Sequence, residues 1–100
     1  MIEQKKFELY LTVLRFLLFK VTDNLKRIYL DIDLENKKML LSAYYLANPS
    51  ELELELLDDI VTDSNAHIPD LFVESEVKLT KDHNNGHSHD FIVFAVFEDI

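Results

Sequence analysis

Residues 27–46, RIYLDIDLENKKMLLSAYYL, limit the possible folds more than any other part of the chain. Ile28, Leu30, Ile32 and Leu34 alternate with Arg27, Tyr29, Asp31 and Asp33, the period of a strand with one buried face. After ENKK a second strand is expected over 39–46. A two-residue loop at Asn36-Lys37 pairs Leu34 with Met39, Ile32 with Leu41, Leu30 with Ala43 and Ile28 with Tyr45. Each of those pairs falls on the apolar face, so the two strands agree on a common buried side. The other face carries Tyr29, Tyr44 and Leu40 among Asp31, Asp33 and Ser42.

The sheet needs cover, and two segments can supply it. Residues 4–21 have helical periodicity through Phe7, Tyr10, Leu11, Leu14, Leu17, Leu18 and Val21. Leu9, Val13 and Phe16 add apolar surface beside that face, leaving only a thin polar stripe of Lys5, Glu8, Thr12, Arg15 and Thr22. Such a helix is expected to be buried on several sides. In SELELELLDDIVTD, Ser50 and Glu53 form a capping box after Pro49, and acids crowd the first turns, where the helix dipole favours them. A helix is expected over about residues 50–64, with Leu52, Leu56 and Ile60 beside Leu57 and Val61 as its apolar stripe. Ala66 to Asp70 is a connector, because Pro69 blocks continuation.

Residues 71–80 and 91–98 read as further strands. Asn85-Gly86 signals a tight hairpin between them, pairing Lys81 with Asp90, Leu79 with Ile92, Val77 with Phe94 and Ser75 with Val96. FIVFAVF is apolar on both faces, which places the last strand inside the sheet and Phe94 on its core face. The expected fold is α+β, a four-stranded antiparallel sheet with two helices in the order α-β-β-α-β-β. One hundred residues make a single domain, 1–100.

Chemistry is scarce. There is no cysteine, so no disulfide framework or thiolate metal site. The single glycine, Gly86, belongs to a turn, which excludes a glycine-rich phosphate loop. No serine stands in a recognisable triad motif, and adjacent acids such as Asp58-Asp59 point apart on a helix. The chain does not read as an enzyme, and no cofactor is expected. His83, His87 and His89 cluster between Asp82 and Asp90. A solvated hairpin tip is the plainer reading than a metal site, since no second shell orients the rings. His67 stands apart, in the connector.

Charge is the informative property. The net charge is −9, but residues 1–50 sum to +2 and residues 51–100 to −11. Such a field repels nucleic acid and anionic lipid and attracts a basic protein. No Lys or Arg occurs from 39 to 77. Acids spaced i, i+4, such as Glu51–Glu55 and Glu55–Asp59, repel one another, and a merely solvated face would normally intersperse lysines. Glu51, Glu53, Glu55, Asp58, Asp59 and Asp63, with Asp31 and Asp33, are therefore the expected partner-binding residues.

A small, cysteine-free, strongly acidic α+β domain with the run SELELELLDDIVTD resembles the immunity proteins of bacterial toxin systems, in particular those of contact-dependent growth inhibition. The resemblance implies a cytoplasmic protein that binds and neutralises one cognate toxin domain, often a basic C-terminal nuclease; a monomer or weak homodimer is expected. Residues 7–19 are too charged to span a bilayer or serve as a leader, so the N-terminus reads as folded and mature. Two alternatives stand beside this. A small adaptor would homodimerise through Phe91, Val93, Ala95 and Phe97, and a ligand-binding domain would use the sheet or the histidines. An aromatic platform of Tyr29, Tyr44 and Phe91 is conceivable, but its acidic surround disfavours nucleic acid.

Overall fold

The computed structural model describes residues 2–17, 20–82 and 89–95. Its elements are α1 (Ile2–Arg15), β1 (Leu25–Asp33), β2 (Lys38–Tyr45), α2 (Glu51–His67), β3 (Phe72–Leu79), a 3-10 turn at Thr80–Asp82 and β4 (Phe91–Ala95). The α+β class and the element order agree with the sequence. The sheet does not: it is mixed, with strand order β3-β2-β1-β4. β1 is antiparallel to β2 and to β4, while β3 runs parallel to β2.

The cause is α2. Parallel neighbours need a crossover that returns the chain to its starting end, and a helix supplies it. Seventeen residues of helix rise about 25 Å, close to the length of an eight-residue strand, so α2 carries the chain from the end of β2 back to the start of β3. β3 and β4 consequently stand at opposite edges, and the expected pairs of Leu79 with Ile92 and Val77 with Phe94 do not form; Val96, expected opposite Ser75, lies outside the described residues. Asn85-Gly86 itself lies outside the described residues. β4 is an edge strand and not a central one. Phe94 faces Ile28, half buried, and Val77 is exposed on the far edge.

In the β1–β2 hairpin the faces are as expected but the register is shifted by two. Ile28 pairs with Ala43, Leu30 with Leu41 and Ile32 with Met39. A shift of two leaves every side chain on its own face, so alternation alone cannot detect it. The turn decides it. Asp33 accepts hydrogen bonds from the Asn36 backbone N–H and side-chain amide, and Lys37 takes a left-handed φ of 57°. The loop therefore spans 34–37 rather than two residues.

Ile28, Leu30, Ile32, Met39, Leu41, Ala43, Tyr45 and Val73 form the core face of the sheet, covered by Leu9 and Val13 of α1 and Leu57 and Ile60 of α2. α1 is rotated from the expected face, for Phe7 and Leu11 are exposed. With apolar residues around most of its circumference, periodicity could not choose which side packs. The helix also ends at Arg15, where Phe16 and Leu17 bond back to Val13 and Leu14 in a tightened last turn. Tyr29, Tyr44 and Ser42 are buried too, on the side away from the helices.

Candidate functional site

The expected partner-binding acids divide between two surfaces on opposite sides of the sheet. The first is the solvent face of α2. Ser50 caps the helix as expected: its hydroxyl accepts the Glu53 N–H and the Glu53 carboxylate accepts the Ser50 N–H. Leu57, Ile60 and Ser64 turn inward, which puts Glu51, Glu55, Asp58 and Asp59 outward, all exposed, with Asp63 partly so. Leu52, expected in the buried stripe, is 61% exposed, and Leu54 is 44% exposed. The outer face is thus a row of carboxylates flanked by two leucines. Lys20 reaches Asp59 at 3.3 Å, a surface pair of little energetic weight.

Glu53 belongs to the scaffold rather than the outer row. Besides Ser50 it accepts the Thr22 hydroxyl and the Asn24 amide, tying the segment before β1 to the start of α2. Asn24 in turn exchanges two hydrogen bonds with Ala47. Partial burial opposes the Glu53 charge, but the bonds from Thr22, Ser50 and Asn24 outweigh it and hold its pKa below the ordinary 4.5. A depressed carboxylate contributes stability above its unfolded pKa and loses it as pH falls through the folded one. Glu53→Gln is expected to cost about 1–2 kcal/mol near neutrality, and urea melts of parent and variant should converge as acid protonates the carboxylate, below its ordinary range. A gap undiminished by acid would show that the charge is not what holds the cap. Burial, and after it the charge of the same carboxylate, raises the pKa of the Tyr45 phenol to about 12.

The second surface lies on the sheet side away from the helices, where Asp31 and Asp33 meet Glu74 and Asp90. With Lys38, Ile32, Met39 and Leu40 they line a cleft of about 310 Å³. Asp33 is held ionised, its pKa lowered chiefly by the Asn36 side-chain amide and then by the Asn36 N–H. Asp31 bonds the His89 ring at 2.7 Å and accepts the Asp90 N–H, while Asp90 accepts the Ile32 N–H. These reciprocal bonds extend the β1–β4 ladder beyond its last residue pair. Glu74 and Asp90 went unrecognised in the sequence as members of this cleft.

His89 is not at a solvated tip. Its ring stacks on Tyr29 at 4.2 Å, and Asp90, expected opposite Lys81, pairs with Lys6 at 3.2 Å. His83 and His87 lie outside the described residues, and among the described residues no three His, Asp or Glu converge as metal ligands. His67 is the last residue of α2 rather than a connector residue; its ring lies against Phe16 and donates to the Asp63 carbonyl. The aromatic platform is not assembled. Tyr29 and Tyr44 meet edge to face in a buried pair, whereas Phe91 stacks on Tyr10 of α1. Val93 is buried and Phe91 half buried, so the outer face proposed for homodimerisation is largely committed to the core; Phe97 is outside the described residues.

At the other edge, Asn65 of α2 donates to the Val73 carbonyl and accepts the Val73 N–H. The side-chain amide occupies the outward backbone groups of β3 as a neighbouring strand would. Among the described residues no helix is long and apolar enough to cross a membrane.

Residues 6–98 match the model of a protein family described as MafI2 immunity protein. No curated protein matches the chain.

Proposed function

Because the chain belongs to the MafI2 immunity protein family, we propose that it acts by binding a basic toxin domain, a nuclease by preference, and that the solvent face of α2 makes the first contact. Neutralisation would take place in the cytoplasm, where an incoming toxin reaches its target. The observation that supports this best is the outward row of Glu51, Glu55, Asp58 and Asp59 with Leu52 and Leu54 beside it. Carboxylates draw in cationic side chains from a distance, and exposed leucines give the aliphatic stems of lysine and arginine an apolar surface on contact. Asp31 and Asp33, turned to the other side of the sheet, form a second acidic patch and not part of this row.

Electrostatic encounter has a measurable signature. Association with the toxin domain should slow at least about tenfold as ionic strength rises from about 10 mM to about 1 M, because the screening length shrinks from about 30 Å to about 3 Å. Stopped-flow measurement of the on-rate across that range checks it. An on-rate that ignores salt would remove the acidic face from the encounter and leave an apolar contact as the docking mode.

A further inference from the structure

We propose that the outer edge of β3 is completed in the complex by an extended, lysine- or arginine-bearing segment of the toxin domain, added to the sheet as a fifth strand. This rests on the reading of the chain as a toxin-binding protein and adds how the partner docks.

An edge strand presents every second N–H and C=O outward. Phe72 donates inward, to Lys37 next to β2, so its neighbour Val73 faces out, which is why Asn65 can reach both of its backbone groups. The same alternation turns Ser75 and Val77 outward, and both residues are exposed. Asn65 therefore closes the first outward position, and among the described residues nothing closes the next two along the strand.

The flanks of that edge indicate what fits it. Leu54, Asp58 and Val61 lie eleven, seven and four residues before Asn65, so they share its side of α2. Because α2 runs back along β3, this stripe borders Ser75 and Val77 on the helix side. It offers one carboxylate between two apolar side chains, of which Leu54 is exposed. On the opposite side of the sheet the row is Glu74, Glu76 and Lys78; Glu76 is engaged by Ser42 and Lys78, while Glu74 is exposed and borders the acidic cleft. An added strand would thus meet carboxylates on both of its faces. A directly opposed acid would be repelled and a directly opposed lysine or arginine favoured, so a cationic segment suits the edge.

The test uses the chain co-purified with its cognate toxin domain. Ser75→Pro removes an outward N–H and places a ring on the edge, a position where proline is tolerated because the inward ladder is untouched. It should weaken binding about 10–100-fold against Ser75→Ala, and the variant should stay folded by circular dichroism. Independently of any variant, hydrogen exchange at the Ser75 and Val77 amides should slow at least tenfold in the complex, as expected for newly paired amides. If those amides exchange as fast in the complex as in the free chain, strand addition is overturned while toxin binding stands. If no complex forms, both readings fall. If light scattering shows the free chain to be a dimer that Ser75→Pro dissociates, the occupant is a second copy and the toxin segment is excluded.

Discussion

Reversing Glu55, Asp58 and Asp59 to lysine together should weaken toxin binding by about 10³-fold while the domain stays folded. All three are exposed on α2 and none contributes to its buried face. Close charge pairs across interfaces couple by about 1.5–7 kcal/mol, and about 1.4 kcal/mol is a factor of ten. Three reversals at the low end of that range therefore give about three decades. Folding loses only the Lys20–Asp59 contact and gains relief from the Glu51–Glu55 and Glu55–Asp59 repulsions, each effect under about 1 kcal/mol. Glu53 is left unchanged, since its three hydrogen-bonding neighbours, Thr22, Asn24 and Ser50, would confuse a binding loss with a folding loss. Titrations at two salt concentrations, with circular dichroism as control, decide the matter. Should the folded triple variant bind like the parent with an unchanged salt slope, the helix face is only solvated and the interface lies elsewhere.

Leu41→Ala should cost about 3–4 kcal/mol of stability, the range for a leucine removed from a core that collapses only partly. Leu41 is 0% exposed, on the strand flanked by both β1 and β3, and its cross-strand neighbour Leu30 is equally buried. A central strand cannot shift to fill the space without disturbing two ladders. Urea unfolding at equilibrium measures this. A loss under about 1 kcal/mol would mean that the sheet face assigned to the core is not where the packing lies.

What the sequence disclosed, and what it hid, follow from the range of each signal. Alternation in 28–34 and 39–45 set the buried face, because it depends on one strand at a time. The register escaped, because the pattern is unchanged by a slip of two and the Asp33–Asn36 turn settled it. The capping box located α2 to within a residue at its start. Strand order escaped because Asn85-Gly86 is a local signal for a hairpin, and it conflicts with a longer one: a helix as long as a strand lying between two strands. That β-α-β spacing was visible and argues for parallel neighbours. The acids of α2 were legible from the missing lysines, and the scaffold role of Glu53 was half legible in its capping motif. The edge of β3 was not, since it exists only once the sheet order is known, and Asn65 carries no mark in the sequence of what it covers.

The place of β4 bears on the order in which the molecule is made. Residues 25–79 hold β1, β2, α2 and β3 in one uninterrupted stretch, and with them both the acidic helix and the open edge. β4 pairs with β1 across more than fifty intervening residues and is locked there by the mutual bonds of Asp31 and Asp90. On a ribosome adding about 5–20 residues per second, residues 80–95 take roughly 1–3 s to append. For that interval a nascent chain already contains every element proposed to meet the toxin, yet its β1 flank lacks β4. β4 then closes the seam as the last of the described strands, on the flank of the sheet opposite the β3 edge.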